Sequence, residues 1–180
     1  MTIIKLSPEV LFTTDQLIKL DSSDITYLQN AAEETDRKRV RLCTHTNISE
    51  LTHEMFIVHP KNAYVRPHKH INKSESLHII SGTLDLITFN NEGQIIDVLN
   101  MGAYESGTAF YHRTSDDSYH SMIITSDIVI FHEVTGGPFN PTDTVWSPWS
   151  PEESDIPACL IYQSNIKEES SSFLNKREDL

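Results

Sequence analysis

At 180 residues, 38% of them hydrophobic, the chain can bury one core and is too short for two comfortable domains. Fourteen Lys and Arg against 26 Asp and Glu give a formal charge of −12, which argues against a nucleic-acid backbone as partner, and no apolar run approaches the ~20 residues that span a bilayer. Two cysteines, Cys43 and Cys159, make no disulfide framework and Met1 to Leu6 does not read as a signal peptide, so a reducing cytoplasm is the expected location.

In chain order, residues 1–20 read as one or two short strands or an arm, with Val10 to Phe12 and Leu17-Ile18 as apolar anchors. Asp21-Ser-Ser-Asp24 offers helix N-caps, and Ile25, Leu28, Ala31 and Ala32 recur at helical spacing, which predicts one amphipathic helix to about residue 36. From Arg37 the pattern turns to strands: Arg39 and Arg41 alternate with Val40 and Leu42, and Glu54 to Val58 is a compact apolar segment ending at His59-Pro60. Eight of the fourteen basic residues fall between Arg37 and Lys73, against Glu50 and Glu54 alone, so an acidic protein carries one locally basic window.

The stretch from Tyr64 to Gly82 holds the chemistry, with the spacing His-x-His-x4-Glu-x6-Gly on His68, His70, Glu75 and Gly82. If residues 65–70 are extended, Arg66, His68 and His70 share one face, and a turn over the next four residues can return the Glu75 carboxylate beside the imidazoles. Without a metal, the same pair would simply be polar residues lining a barrel mouth. Imidazole with carboxylate suits Fe, Mn, Zn, Ni or Co as divalent ions, and the sequence does not choose among them. Arg66 stands about 7 Å from His68 by strand rise. That is too far to ligate the same ion and well placed to hold an anion bound to it, so a small anionic or oxygen-rich ligand is the expected partner; pairing of Arg66 with Glu133 or Asp85 is the alternative.

Beyond Gly82, Thr83–Phe89 alternates as a strand, Asn90-Asn-Glu-Gly93 signals a hairpin before residues 94–99, and further strands fit residues 108–112, 119–125 and 127–134. The sum is an all-β barrel of the double-sheet type with one N-terminal helix. The organisation expected is an arm and helix over 1–36, a barrel over 37–153 and a polar tail over 154–180 that buries little and stays mobile, with Phe173-Leu174 docking weakly.

The His68, His70, Glu75 and Gly82 spacing resembles the first motif of the cupin superfamily, small double-stranded β-helix (jelly-roll) barrels that commonly hold a divalent metal. The resemblance implies a fourth ligand on a later strand, for which His120 in Ser118-Tyr-His-Ser121 is the candidate. Here Thr114 to Ser118 precedes that histidine where the general second motif has Gly, Pro and Gly. Within the superfamily the chain is similar to the WbuC family, metalloproteins often encoded near bacterial O-antigen genes. Tyr64 to His70, Glu75, Gly82, Tyr119-His-Ser121, Glu133, Gly137-Pro-Phe139, the Trp146 to Pro151 segment, Arg37 to Arg41 and His45 carry that similarity over residues 25–153.

Four protein ligands would leave up to two positions on an octahedral ion for water and a substrate oxygen. The resemblance therefore implies a metal-binding cupin acting on a sugar or nucleotide-sugar intermediate by isomerisation, epimerisation or dioxygenase-type oxidation. The alternatives are a sensing cupin without catalysis and a metal-free sugar isomerase using histidine as acid and base. Arg66, Tyr119 and Glu133 are the substrate-binding candidates, Tyr119 only if a bulge re-aims it. Of the other histidines, His45, His53, His59, His78, His112 and His132 read as structural. A homodimer is expected, through an N-terminal arm whose Thr2-Ile3-Ile4 can extend a neighbour's sheet.

Overall fold

The computed structural model describes residues 1–114 and 117–178. A hairpin of β1 (Ile3–Ser7) and β2 (Val10–Thr13) leads into helix α1 (Ser22–Glu33). Ten strands follow: β3 (Val40–Cys43), β4 (Thr52–Pro60), β5 (His68–His70), β6 (Glu75–Ser81), β7 (Thr83–Phe89), β8 (Ile95–Gly102), β9 (Tyr111–Thr114), β10 (Tyr119–Ile124), β11 (Ile128–Gly136) and β12 (Thr144–Trp146). Helix α2 (Ile156–Glu178) comes last.

The strands form a seven-stranded sheet in the order β1-β2-β3-β4-β11-β6-β9 and a five-stranded sheet in the order β12-β5-β10-β7-β8. From β4 onward the chain passes from one sheet to the other at nearly every connection, and among the described residues all strand pairs but β2 with β3 are antiparallel. That winding is the double-stranded β-helix, a jelly-roll barrel.

Local sequence explains the pieces. Asp21 caps α1, its Oδ1 accepting from the Ser23 amide at 2.7 Å while Asp24 Oδ2 accepts from the Asp21 amide at 2.9 Å, a reciprocal capping box. Asn90 Oδ1 accepts from the amides of Glu92 and Gln94 and so closes the β7–β8 hairpin. The motif glycine has its own reason: Gly82 has φ +81°, and a Cβ there would lie 2.2 Å from the Ile128 carbonyl oxygen, so β6 can turn tightly into β7 only with glycine at this position.

Alternation along the strands sorts the side chains into layers. Inward-facing Leu77, Ile79, Leu84, Leu86, Met101, Met122, Phe131 and their neighbours pack between the sheets as the barrel's apolar end. On the outer face of the larger sheet, Leu28 and Ala32 of α1 bury Val40, Leu42, Val58 and Ile130. Ile87, Phe89, Val98, Tyr119 and Ile123 cover the outer face of the smaller sheet together with Ile166 of α2.

Helix α2 corrects two expectations: residues 154–180 are not an unstructured tail up to Glu178, and the barrel carries a second helix besides α1. Asp155 caps it by accepting from the Ala158 amide, Pro157 sits in its first turn, and Gln163 donates to the Ala63 carbonyl at 2.8 Å. Cys159, Ile166 and Ser170 are buried and Tyr162, Phe173 and Leu174 half-buried, a stripe one side chain wide at intervals of three and four. So narrow a stripe leaves this Lys-, Glu- and Ser-rich segment as polar in composition as a solvated tail, although it suffices against a preformed sheet. Both cysteines are free and buried, and no helix among the described residues is long and apolar enough to cross a membrane.

Candidate metal centre

The polar end of the barrel begins where its apolar layers stop. β5 lies between β10 and β12, with His68 opposite both His120 and Trp146 and His70 opposite Thr144. His68, His70 and His120 therefore project from adjacent strands of the smaller sheet, and one nitrogen of each lies within 4.8 Å of the others. Glu75, the first residue of β6, reaches in from the larger sheet, its Oε2 at 3.0 Å from His70 Nε2 and its Oε1 at 3.6 Å from His120 Nε2.

The outer contacts orient the rings. His68 Nδ1 lies 2.8 Å from the Arg66 carbonyl oxygen, His120 Nδ1 3.2 Å from that of Ser118, and His70 Nδ1 3.2 Å from Thr144 Oγ1. With Nδ1–H donated outward to the two carbonyls, the Nε2 lone pairs of His68 and His120 turn to the common centre, the arrangement that fixes tautomers in metal sites. His120 Nε2 is buried without a hydrogen-bond partner among the described residues. An orphaned imidazole nitrogen aimed at two more imidazoles and a carboxylate is a donor set that a divalent cation fits.

Electrostatics support the same species. Burial holds His68 down to about 4, with His120 and His70 adding to the depression, so the imidazole is neutral at pH 7. Burial by itself would raise Glu75, but the hydrogen bond from His70 and the fields of the three imidazoles outweigh it and hold the carboxyl at about 2.

The remaining candidates separate. Arg66 precedes β5 in irregular backbone, not in the strand expected from residue 65. It donates to the Ser147 carbonyl at 3.2 Å and towards Ser150 Oγ at 3.4 Å, and its guanidinium carbon lies 5.7 Å from the centre of the Trp146 ring. Among the described residues it pairs with neither Glu133 nor Asp85; Asp85 accepts from Asn100 instead. Glu133 faces the barrel interior from β11, two pairs along from Glu75, where burial and the Glu75 charge raise it well above the usual carboxylate range against the opposing field of Arg41.

Tyr119 is a correction. Strand β10 runs in unbroken register from Tyr119↔Phe89 to Ile124↔Leu84, with no bulge to re-aim the ring. Its side chain points away from His120 into the layer under α2, packed on Trp149 at 5.7 Å with Lys69 Nζ 4.6 Å from its centre, so it does not line the barrel. The two tryptophans divide likewise: Trp146 stands 5.3 Å from His68, whereas Trp149 packs on Phe89 and donates to the Asn91 carbonyl outside.

A cavity of about 450 Å³ leads to this centre, lined by Arg39, Arg41, His59, Arg66, His68 and Trp146 among others. Its size is that of small-ligand sites. A second cavity of about 340 Å³ touches Glu75 and His120 from the other side, with Thr88, Asp97 and His112 in its wall. Arg41 belongs to the arginine group that the sequence offers to a phosphate or carboxylate, whereas His59 and His112 read as structural and line the cavities instead; the available signal was parity, since 59 alternates inward with Met55 and Ile57, and 112 lies opposite Leu77.

Fold and donor set together define a double-stranded β-helix barrel with a candidate metal site at its polar end. A family model described as a domain of unknown function, DUF6016, matches residues 20–101, a span that includes His68, His70 and Glu75 and stops before His120. No curated protein matches the sequence. Among solved structures the chain is similar to protein SO0799 from Shewanella oneidensis, with 9% identity and a TM-score of 0.55 over 84% of this chain and 97% of that one. Also similar are an uncharacterized conserved protein with a double-stranded β-helix domain from Klebsiella pneumoniae (11% identity, TM-score 0.49, 63% of this chain and 82% of that) and oxalate decarboxylase from Bacillus subtilis (17%, 0.47, 60% and 27%). At these identities the likeness concerns the fold alone.

Proposed function

We propose that the protein is a metal-binding cupin that acts on a small, anionic, oxygen-rich molecule, with His68, His70, Glu75 and His120 holding one divalent ion and Arg66 holding the anion. The observation carrying this reading is that the three imidazoles and Glu75 converge beside a cavity whose wall contains an arginine fixed by neutral partners. Arg66 is oriented by a carbonyl, a hydroxyl and an indole, so its charge is left for a ligand. A bound ion would supply Lewis acidity towards a substrate oxygen. The chain's own residues bind the anion, orient it against Trp146 and exclude bulk water.

The sequence similarity to the WbuC family supports a sugar or sugar-derived substrate, with isomerisation, epimerisation or oxidation as the reaction. A sensing role without turnover is the second reading, favoured by the commitment of all three imidazoles and Glu75 to the ion, which leaves Glu133 to move a proton beside them. Elemental analysis of purified protein should find about one divalent metal per chain, lost in His68→Ala and His70→Ala. Full metal occupancy in both variants would refute the ligand set. Incubating the metal-loaded protein with sugar phosphates, sugar acids and nucleotide sugars in deuterated solvent then separates the readings: carbon-bound deuterium in the product means isomerase or epimerase, and saturable binding with neither exchange nor oxidation means sensor.

Assembly is proposed as a homodimer through β1, which lies at the free edge of the seven-stranded sheet with Ile4 and Leu6 exposed. Light scattering at micromolar concentration should give twice the chain mass; a monomer mass would refute it.

A further inference from the structure

The cavity beside His68 has a charge pattern finer than "basic". Arg37, Arg39, Arg41 and Arg66 line it against Glu9, Asp36 and Glu153. Two of the arginines are already committed. Arg37 and Arg39 both reach Glu9, at 2.5 and 3.1 Å, and both reach Glu153, at 2.6 and 3.2 Å, so this four-residue network cancels its own charge at the rim. Arg41 and Arg66 have no ion-pair partner among the described residues. Glu133 feels the field of Arg41 from the barrel interior but forms no ion pair with it among the described residues. Beside that neutral network, Arg41 and Arg66 are the cations left in the wall, with Asp36 its remaining acid.

Deeper in the same wall sits His59. Its ring lies 5.7 Å from that of Phe131 at 23°, and its Nδ1 is buried with no hydrogen-bond partner among the described residues. Burial and the nearby arginines hold it neutral, down to about 3. A neutral imidazole presents one N–H and one lone pair, which suits a hydroxyl better than a phosphate. An unmatched polar atom in such a place is destabilising unless water or ligand meets it.

We infer that the cavity selects a singly charged polyhydroxy carboxylate of sugar-acid type, its carboxylate held by Arg41 and Arg66 and a hydroxyl by the His59 imidazole, over nucleotide sugars and sugar phosphates. This rests on the reading above that the cavity is the ligand site, and narrows it. A diphosphate spans two phosphate groups, and to hold both of them the ion pairs of Arg37 and Arg39 with Glu9 and Glu153 would have to open.

The test is a titration of the metal-loaded full-length protein by calorimetry with four probes: glucuronate, glucose, glucose 6-phosphate and UDP-glucose. Glucuronate should bind at least tenfold tighter than each of the others. Arg41→Gln, at an exposed position, and Arg66→Gln should each weaken glucuronate at least tenfold with metal content unchanged. His59→Phe, which keeps the stacking on Phe131, should weaken it about fivefold, and His59→Asn should restore part of the loss. Tighter binding of glucose 6-phosphate or UDP-glucose would overturn the inference. Unchanged glucuronate affinity in His59→Phe would overturn the assignment of His59, leaving its nitrogen to an ordered water. If no probe binds while one metal per chain is present, the selectivity inference fails and the metal reading stands; if the metal is missing as well, the earlier reading fails first.

Discussion

Truncation after Asp155, which removes α2, is expected to leave a chain that no longer unfolds cooperatively and aggregates at micromolar concentration. Ile87, Phe89, Val98, Tyr119 and Ile123 would lose the cover that Ile166 and its neighbours provide. Buried aliphatic and aromatic side chains contribute about 1.5–3 kcal/mol each, so uncovering several forfeits an amount comparable to the 5–15 kcal/mol that separates a typical folded domain from its unfolded state. The single change Ile166→Ala should cost about 2–5 kcal/mol and lower Tm by about 10 °C, because this side chain is the buried centre of the stripe. Arg177→Ala, which removes only the exposed ion pair with Asp97, should change Tm by no more than about 2 °C. Differential scanning calorimetry of the three variants checks this, and a truncated chain melting with the full-length protein would show that α2 does not hold the sheet.

The second large effect is a pH dependence of the metal-free protein that metal should suppress. His59 and His68 are held down to about 3 and about 4 by burial, below the ordinary histidine value of 6.5. The unfolded chain therefore takes up protons below pH 6.5 that the folded chain refuses, so the stability these residues contribute is full above 6.5 and lost as pH falls towards 3. Glu133 runs the other way. Its folded value is raised by burial and by Glu75, so its contribution is full below the ordinary carboxylate value and lost as pH rises above it towards the raised value. In EDTA, Tm should fall on both the acid and the alkaline side. Glu133→Gln should raise Tm at pH 8 and leave it nearly unchanged at pH 4.5, since glutamine mimics only the protonated carboxyl. Adding a divalent metal should raise Tm at pH 8 and lose most of that effect as pH falls towards 4, where a proton competes for His68. Equal loss of Tm at every pH in Glu133→Gln would mean that Glu133 is a fixed structural acceptor.

Much of the frame was legible because it is local. Asp21 and Asp24 cap α1 where the residue types predict, and the Asn90 to Gly93 hairpin joins β7 and β8 with β7 spanning Thr83–Phe89 as the alternation indicates. The His-x-His-x4-Glu-x6-Gly spacing was readable for the same reason: strand alternation aligns His68 with His70, and Gly82 answers a backbone with positive φ. Each of these features is decided by residues within a dozen positions of one another.

Placement of the remaining side chains was decided by partners distant in the chain. Whether His120 joins His68 depends on β10 pairing with β5, and whether Tyr119 faces ligand or core depends on the unbroken register of β10 against β7. Helix α2 illustrates the limit. Its stripe of Cys159, Tyr162, Ile166 and Phe173 is too thin to declare a helix by composition, and only the apolar outer face of the smaller sheet, assembled from β7, β8 and β10, makes the stripe worth burying. His59 and Arg41 come to line one cavity in the same way, through a barrel whose closure brings β3, β4 and the Trp146 segment around it. The sequence by itself determined the motif, the caps and the turns, because short-range sterics and hydrogen bonds act within each segment. Tertiary structure alone decided which charges remain unpaired and which faces are covered, because both depend on pairings between segments far apart in the chain.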